Sequence, residues 1–249
     1  MHYNVFKNIF KSVLLCAAIC LSAAVVMISC GRESKAEKMR REKAEADSLS
    51  LVRARRTIVY SDSLLGTLLP KADSLMRNFS YEKQEAYEDN GYYTHKLLVT
   101  GRNANRFFLQ AQTDDKGRLT VRSYYFGQTP VNHTGVRIEA ADVYAEAEGS
   151  LHSFEAEGIH EIVSIKDADG AKLLEFVAAH SSDRIKVTAY GSQKAVYYLK
   201  DNEKQALIQT LELSLTMKDI ATTENAIRIS AKQAETLEKR LEKYRKTTE

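Results

Sequence analysis

The sequence predicts an α+β fold: an antiparallel β-sheet body flanked by an N-terminal helical stalk and by C-terminal helices with a short heptad seam. Three observations point there. Residues 33–56 are dense in Ala, Glu, Lys and Arg and hold no Gly or Pro, a helix-forming composition. Residues 79–200 alternate short β-prone runs with turn sequences, the texture of successive hairpins. From Asp201 onward apolar residues recur at every third or fourth position, the period of an amphipathic helix. The 249 residues, 44% hydrophobic and 28% charged, suit one folded body with extensions. The expected divisions are 1–29, 30–78, 79–200 and 201–249.

At the N-terminus, Lys7 and Lys11 precede residues 12–29, which are 18 positions without a charged side chain. That length is near the lower limit for a membrane span. The run is rich in Ala and Ser and ends at small Ser29 before Cys30, the pattern of a cleavable signal segment. An uncleaved signal anchor is the alternative. Met27-Ile28-Ser29-Cys30 resembles the lipobox of bacterial lipoproteins with a type II signal peptide. That resemblance implies cleavage before Cys30, lipidation of Cys30 on sulfur and on its new amino group, and a membrane held through the lipid anchor. Two or more acyl chains hold firmly where one holds only marginally.

Cysteine placement narrows the chemistry. The three cysteines are Cys16, Cys20 and Cys30, so the body beyond Cys30 has no disulfide, thiolate nucleophile or cysteine metal site. Residues 30–249 carry 34 basic and 33 acidic side chains. So balanced a chain has no general field for gathering nucleic acid, and no nucleic-acid partner is expected.

Read as a helix, the charged segment 33–56 spans about 35 Å at 1.5 Å per residue. Arg53, Arg55 and Arg56 read as a solvated face, with an anionic-lipid or nucleic-acid patch as the sharper alternative. Residues 61–78 place Leu64, Leu65, Leu68, Leu69, Leu75 and Met76 at helical spacing, and Pro70 is expected to kink or divide them. In the body, "NRFFLQAQTDDKGRLTVRSYYFG" reads as two strands around Asp114-Asp115-Lys116-Gly117, with Gly117 free to take a positive φ. "GYYTHKLLVTG" reads as a strand before it. "TGVRIEAADVYAEAEG" and "SLHSFEAEGIHEIVSI" read as strands meeting near Gly149-Ser150. "AKLLEFVAAH" suits a short helix facing the sheet. "DRIKVTAYG" and "KAVYYLK" read as a hairpin turning at Ser192-Gln193.

Two helices are expected at the C-terminus, the second bearing Ile227, Ser230, Ala234, Leu237, Leu241 and Tyr244 as a heptad seam. Packing against the stalk is its simplest use. A protein partner or self-association through this helix is the other.

Candidate chemistry is sparse. Glu146 and Glu148 face Glu155 and Glu157 if their strands form a hairpin, a set of oxygens that could take a cation. A solvated outer face is the favoured reading. "KDADG" at 166–170 reads as a turn or helix cap, because Ile165 and Phe176 stand where an EF-hand loop needs side-chain oxygens. His95, His133, His152, His160 and His180 show no zinc-hydrolase spacing. No Gly-x-Ser-x-Gly elbow, phosphate loop or dinucleotide fingerprint occurs. Tyr92-Tyr93, Tyr124-Tyr125 and Tyr197-Tyr198 lie on expected strands, one ring of each pair inward and one outward. The outward rings could form a glycan or peptide platform. Half-buried strand tyrosines are the favoured reading.

The lipobox, "VYYLKDNEKQALIQTLELSLTMKDI" and the heptad-bearing ends are together similar to envelope lipoproteins of the Bacteroidota, some labelled viral A-type inclusion protein. The resemblance implies export and attachment, not an activity. With no catalytic motif in the sequence, a non-enzymatic scaffold or interaction module with no cofactor is the leading reading, and a glycan- or peptide-binding lipoprotein using exposed tyrosines is the alternative. The mixed charge of Gly31-Arg32-Glu33-Ser34-Lys35 favours outer-membrane attachment facing the periplasm, with surface exposure as the alternative.

Overall fold

The computed structural model describes residues 35–83, 91–100 and 107–246. Cys16, Cys20 and Cys30 lie outside them. Helix α1 (Lys35–Met76) leads into strands β1 (Phe79–Lys83) and β2 (Gly91–His95), helix α2 (Lys96–Thr100), and strands β3 (Phe107–Asp114) and β4 (Leu119–Gly127). Strands β5 (Gly135–Ala140), β6 (Val143–Glu148), β7 (Ser150–Glu155) and β8 (Ile159–Lys166) follow. Helix α3 (Asp167–Ala179), strands β9 (Lys186–Tyr190) and β10 (Lys194–Tyr198), and helix α4 (Asp201–Lys246) complete the order. The expected α+β architecture is present, and all strand pairings among the described residues are antiparallel.

The strands form two sheets, one of six in the order β1-β2-β3-β4-β8-β7 and one of four in the order β10-β9-β5-β6. Their inner faces follow period-two alternation. Leu109, Ala111, Val121, Val163 and Ile165 of the large sheet join Val136, Ile138, Val187 and Ala189 of the small one in a single core. Leu173, Leu174 and Val177 of α3, and Ala206, Leu207 and Leu211 of α4, complete it. The segment read as a sheet-facing helix therefore is one. It begins four residues early, with Asp167 and Asp169 in its first turn, where carboxylates meet the positive end of the helix dipole.

Four expectations change in detail. First, the stalk and the segment 61–78 are one helix, which runs through Pro70. A proline ring clashes with the carbonyl four residues back and removes one hydrogen bond, at about 3 kcal/mol. Here that residue is Gly66, whose missing Cβ would meet nothing within 4 Å, and Pro70 itself is exposed. Water can serve the freed carbonyl, while Leu65, Leu68, Ala72 and Leu75 on the other side pack with Phe79, Leu213, Met217 and Ile220. Second, the C-terminal helices are one helix of 46 residues, since no Gly or Pro interrupts residues 201–246.

Third, "GYYTHKLLVTG" is strand only to His95. The Leu97 N–H donates to His95 Nδ1 at 3.2 Å and starts the turn of α2, which carries Leu98 into the core. Fourth, β6 and β7 do not pair. β6 lies beside β5 in the small sheet, and β7 beside β8 in the large one. Gly149 is the crossing point, so tight that a Cβ there would lie 2.5 Å from the Ser164 carbonyl oxygen.

Candidate functional site

The longest-range feature is the pairing of α1 with α4. Ion pairs set an antiparallel register: Lys71–Glu212 at 2.9 Å, Arg55–Glu238 at 2.7 Å and Arg240–Asp47 at 3.6 Å. Between the helices lies a seam of mostly small residues. α1 buries Asp47, Ala54 and Ser61 at seven-residue spacing, and α4 buries Thr223, Ser230, Ala234 and Leu237. Small side chains let two helix backbones approach closely. The expected heptad seam thus packs against the stalk, with Ile227, Leu241 and Tyr244 half-buried at its margins. Arg55 serves this pairing.

The second feature is an aromatic ladder on the outer face of the large sheet. The register sets Phe126, His160 and Phe154 side by side across β4, β8 and β7. Phe126 and His160 have ring centroids 4.6 Å apart, and His160 stacks on Phe154 at 4.7 Å and 1°. His152 follows at 5.9 Å from Phe154. Phe108 stacks on Tyr124 at 4.9 Å nearby. The ladder ends at β7, which pairs only with β8 and is exposed throughout. Its sequence "SLHSFE" has no Lys, Arg or Pro to blunt the free edge, and Leu151 and Phe154 are 40% and 43% exposed.

The tyrosine pairs divide as expected. Tyr93, Tyr125 and Tyr197 share the inner faces, while Tyr92, Tyr124 and Tyr198 point the other way. Tyr197 accepts a hydrogen bond from the Leu109 N–H at 2.9 Å, and burial pushes its hydroxyl pKa well up. On the outer face of the small sheet, Arg184 lies 3.9 Å over Tyr198 and Arg137 lies 4.5 Å over Tyr144. Each guanidinium covers one ring face.

The acidic set is separated. Glu146 is held by Arg137 at 2.6 Å on the small sheet, whereas Glu155 and Glu157 lie at the β7–β8 turn of the large sheet. Among the described residues, no group of three or more His, Cys, Asp or Glu is placed to hold a metal ion. The histidines are likewise dispersed. His180 pairs with Asp183 at 2.9 Å. His95 takes the Leu97 N–H on Nδ1, so its Nε2 donates to Gln209 Oε1 at 2.9 Å. Burial lowers the His95 pKa, in keeping with that neutral tautomer.

No protein-family model, curated protein or solved structure matches the chain.

One polar cluster had not been anticipated. His133, fully buried, places Nδ1 2.8 Å from Glu161 Oε2, itself 1% exposed. Glu161 Oε1 accepts the Asn132 N–H at 2.8 Å, and Oε2 accepts the His133 N–H at 3.2 Å. Burial pushes the Glu161 carboxyl up, but the bonds from the His133 ring and the two amides outweigh it and hold the pKa below the ordinary value. An ionised carboxylate only accepts, so His133 Nδ1 carries the proton. His133 Nε2 is sealed from solvent without a hydrogen-bond partner. The cluster fixes the 128–134 segment, which carries the chain from β4 in the large sheet to β5 in the small one. Ser192 Oγ donates to the Val131 carbonyl at 2.8 Å and holds the same segment from the β9–β10 turn.

Proposed function

We infer that the chain is a lipid-anchored bacterial envelope lipoprotein, facing the periplasm from the outer membrane, that works as a non-enzymatic interaction module. The observation that carries this reading is the position of Cys30 relative to the helix pair. Helix α1 starts five residues after Cys30, and its packing in the apolar cluster that includes Phe79 of β1 begins near Leu65. The intervening 30 residues of helix, at 1.5 Å each, span about 45 Å. A lipid on Cys30 would put the membrane at one end of this stalk and the sheets at the other. The open β7 edge and its aromatic ladder would then be presented away from the membrane. An exposed edge strand binds extended chains through main-chain hydrogen bonds, with side-chain rows supplying specificity.

Intact-mass analysis of the mature protein tests the attachment. The expected N-terminus is Cys30 with added acyl mass, and Cys30→Ala leaves the first 29 residues in place. A native protein that begins at Met1 with an unmodified Cys30 overturns the reading. A photo-crosslinking residue at Ser153, on β7, tests the interaction in cells. Discrete adducts are expected, and Phe154→Glu should weaken them several-fold while leaving the fold intact, since Phe154 is half in solvent. Absence of any adduct argues against the module.

A further inference from the structure

We propose that the membrane-proximal tip of the α1–α4 pair is a docking surface for anionic phospholipid. This rests on the reading of Cys30 as the lipid anchor and adds a second, electrostatic contact beside it.

The antiparallel register brings two basic segments to one end of the molecule. From the Arg240–Asp47 pair, α4 runs on to Lys246 as α1 runs back to Lys35. Residues 35–43 hold five basic and two acidic side chains, and residues 240–246 hold four basic and one acidic. Every residue of 35–43 is exposed, as are Arg240, Lys243, Arg245 and Lys246. The pair Lys246–Glu242 lies in solvent at 2.8 Å, a kind that holds its charges only weakly. Met39, 59% exposed among these cations, offers an apolar side chain beside them.

The rest of the chain from Cys30 has the opposite sign. Residues 44–239 hold 24 basic and 28 acidic side chains, while Arg32, Glu33 and Glu249 flank the tip in the sequence. The near-neutral total hides a polarised molecule, positive at the tip and negative over the body and upper stalk. Beside an anionic surface such a molecule is turned tip-first, because opposite ends feel opposite forces. Covalent reach adds the second constraint. Lys35 follows Cys30 by five positions, at most about 18 Å of extended chain. An acyl chain on Cys30 would keep the basic tip close enough to come within one Debye length of the headgroups, about 10 Å at 0.1 M salt. A lipid anchor combined with a polybasic segment is a firm attachment. It would also stop the stalk from pivoting freely on a short tether.

Amine footprinting on the full mature protein tests this. The protein is placed on vesicles of phosphatidylcholine alone, or with about one third phosphatidylglycerol, and acetylation of each lysine is read by mass spectrometry. Lys243 and Lys246 should label at least about three-fold more slowly on the anionic vesicles. Protection should vanish near 1 M salt, where screening falls to about 3 Å. Exposed Lys166 and Lys194 on the body should label alike on both. The variant Arg245→Gln with Lys246→Gln, changed only at exposed positions, should lose most of the protection at Lys243. Equal labelling on both vesicles overturns the proposal, as does protection that persists at 1 M salt. The intact mass of the same sample separates the two readings. Acylated protein without charge-dependent protection overturns the tip proposal alone. Protection in a chain with no acyl group on Cys30 supports the tip and overturns the anchor.

Discussion

Gly117→Ala is expected to destabilise the protein by about 3 kcal/mol or more, and to do so by prising α4 off the β3–β4 hairpin. Two costs combine. Gly117 sits at φ +75°, where a residue with a Cβ loses about 1–2 kcal/mol. The added Cβ would also lie 2.4 Å from the Ser214 carbonyl oxygen and 2.5 Å from the Lys218 nitrogen. Both are backbone atoms of a helix, so neither can swing aside as a flexible side chain would. The turn is rigid on its own account. Asp114 Oδ1 accepts the Lys116 and Arg118 N–H groups at 2.9 and 2.8 Å, and the Gly117 N–H donates to the Asp114 carbonyl at 3.1 Å. Relief must come from moving α4, which breaks the Ser214 Oγ bond to the Gly117 carbonyl at 2.8 Å. Ser214→Ala removes that bond without the clash and should cost only about 1 kcal/mol. Urea unfolding of the two variants separates the effects. Equal losses would mean that the close approach of helix and turn is unimportant.

How far the sequence foretold this arrangement can be judged at such contacts. The 114–117 turn was legible because its signal is local: an Asp that can accept from its own backbone, and a Gly two or three residues on. That α4 would rest on it was not legible, because nothing near Gly117 names a partner 97 residues away. The same division holds elsewhere. Hairpins β3–β4 and β9–β10 follow from alternation and turn residues, which are short-range properties, whereas residues 134–149 and 150–165, each read as one strand, divide into the hairpins β5–β6 and β7–β8. The pairing of β6 with β7 was the wrong inference, because a Gly between two strands reads alike whether the chain turns back or crosses to another sheet. Pro70 misled for a related reason. Its cost is local, but packing of the opposite helix face on α4 decided the outcome. The heptad seam was legible because 3.5-residue periodicity survives at long range and the stalk offered a partner of matching length. For the sites, separation of the four glutamates follows directly from the sheet crossing.

Glu161 is the instructive omission, and its replacement should show the other large effect. In "IHEIVSI" the residues Glu161, Val163 and Ile165 occupy alternate positions, so the parity of the strand already turned Glu161 inward with the two aliphatic residues. Inward burial of a carboxylate is tolerable only with several donors, and the chain provides three: the N–H groups of Asn132 and His133 and the ring of His133. Glu161→Gln keeps the volume but replaces an acceptor oxygen by an NH2 that must face one of those donors. A loss of about 3 kcal/mol is expected at pH 7, in the range for breaking a buried charged hydrogen-bond set.

The pH dependence gives the charge-specific signature. The pKa of Glu161 is lowered by folding from the ordinary value of 4.5, so folding favours its ionised form. Its contribution is fully present above the unfolded value and fades as pH falls through the lower folded value. The stability gap between native protein and Glu161→Gln should therefore be constant from pH 7 to about 5. It should narrow as the solution is acidified below about 4.5, because protonation removes from the native side the charge that the variant already lacks. Urea midpoints compared at pH 7, 5 and 3 read this directly. A gap that stays constant down to pH 3 would assign the loss to shape alone and remove the ionised carboxylate from the account of how the 128–134 crossing is held.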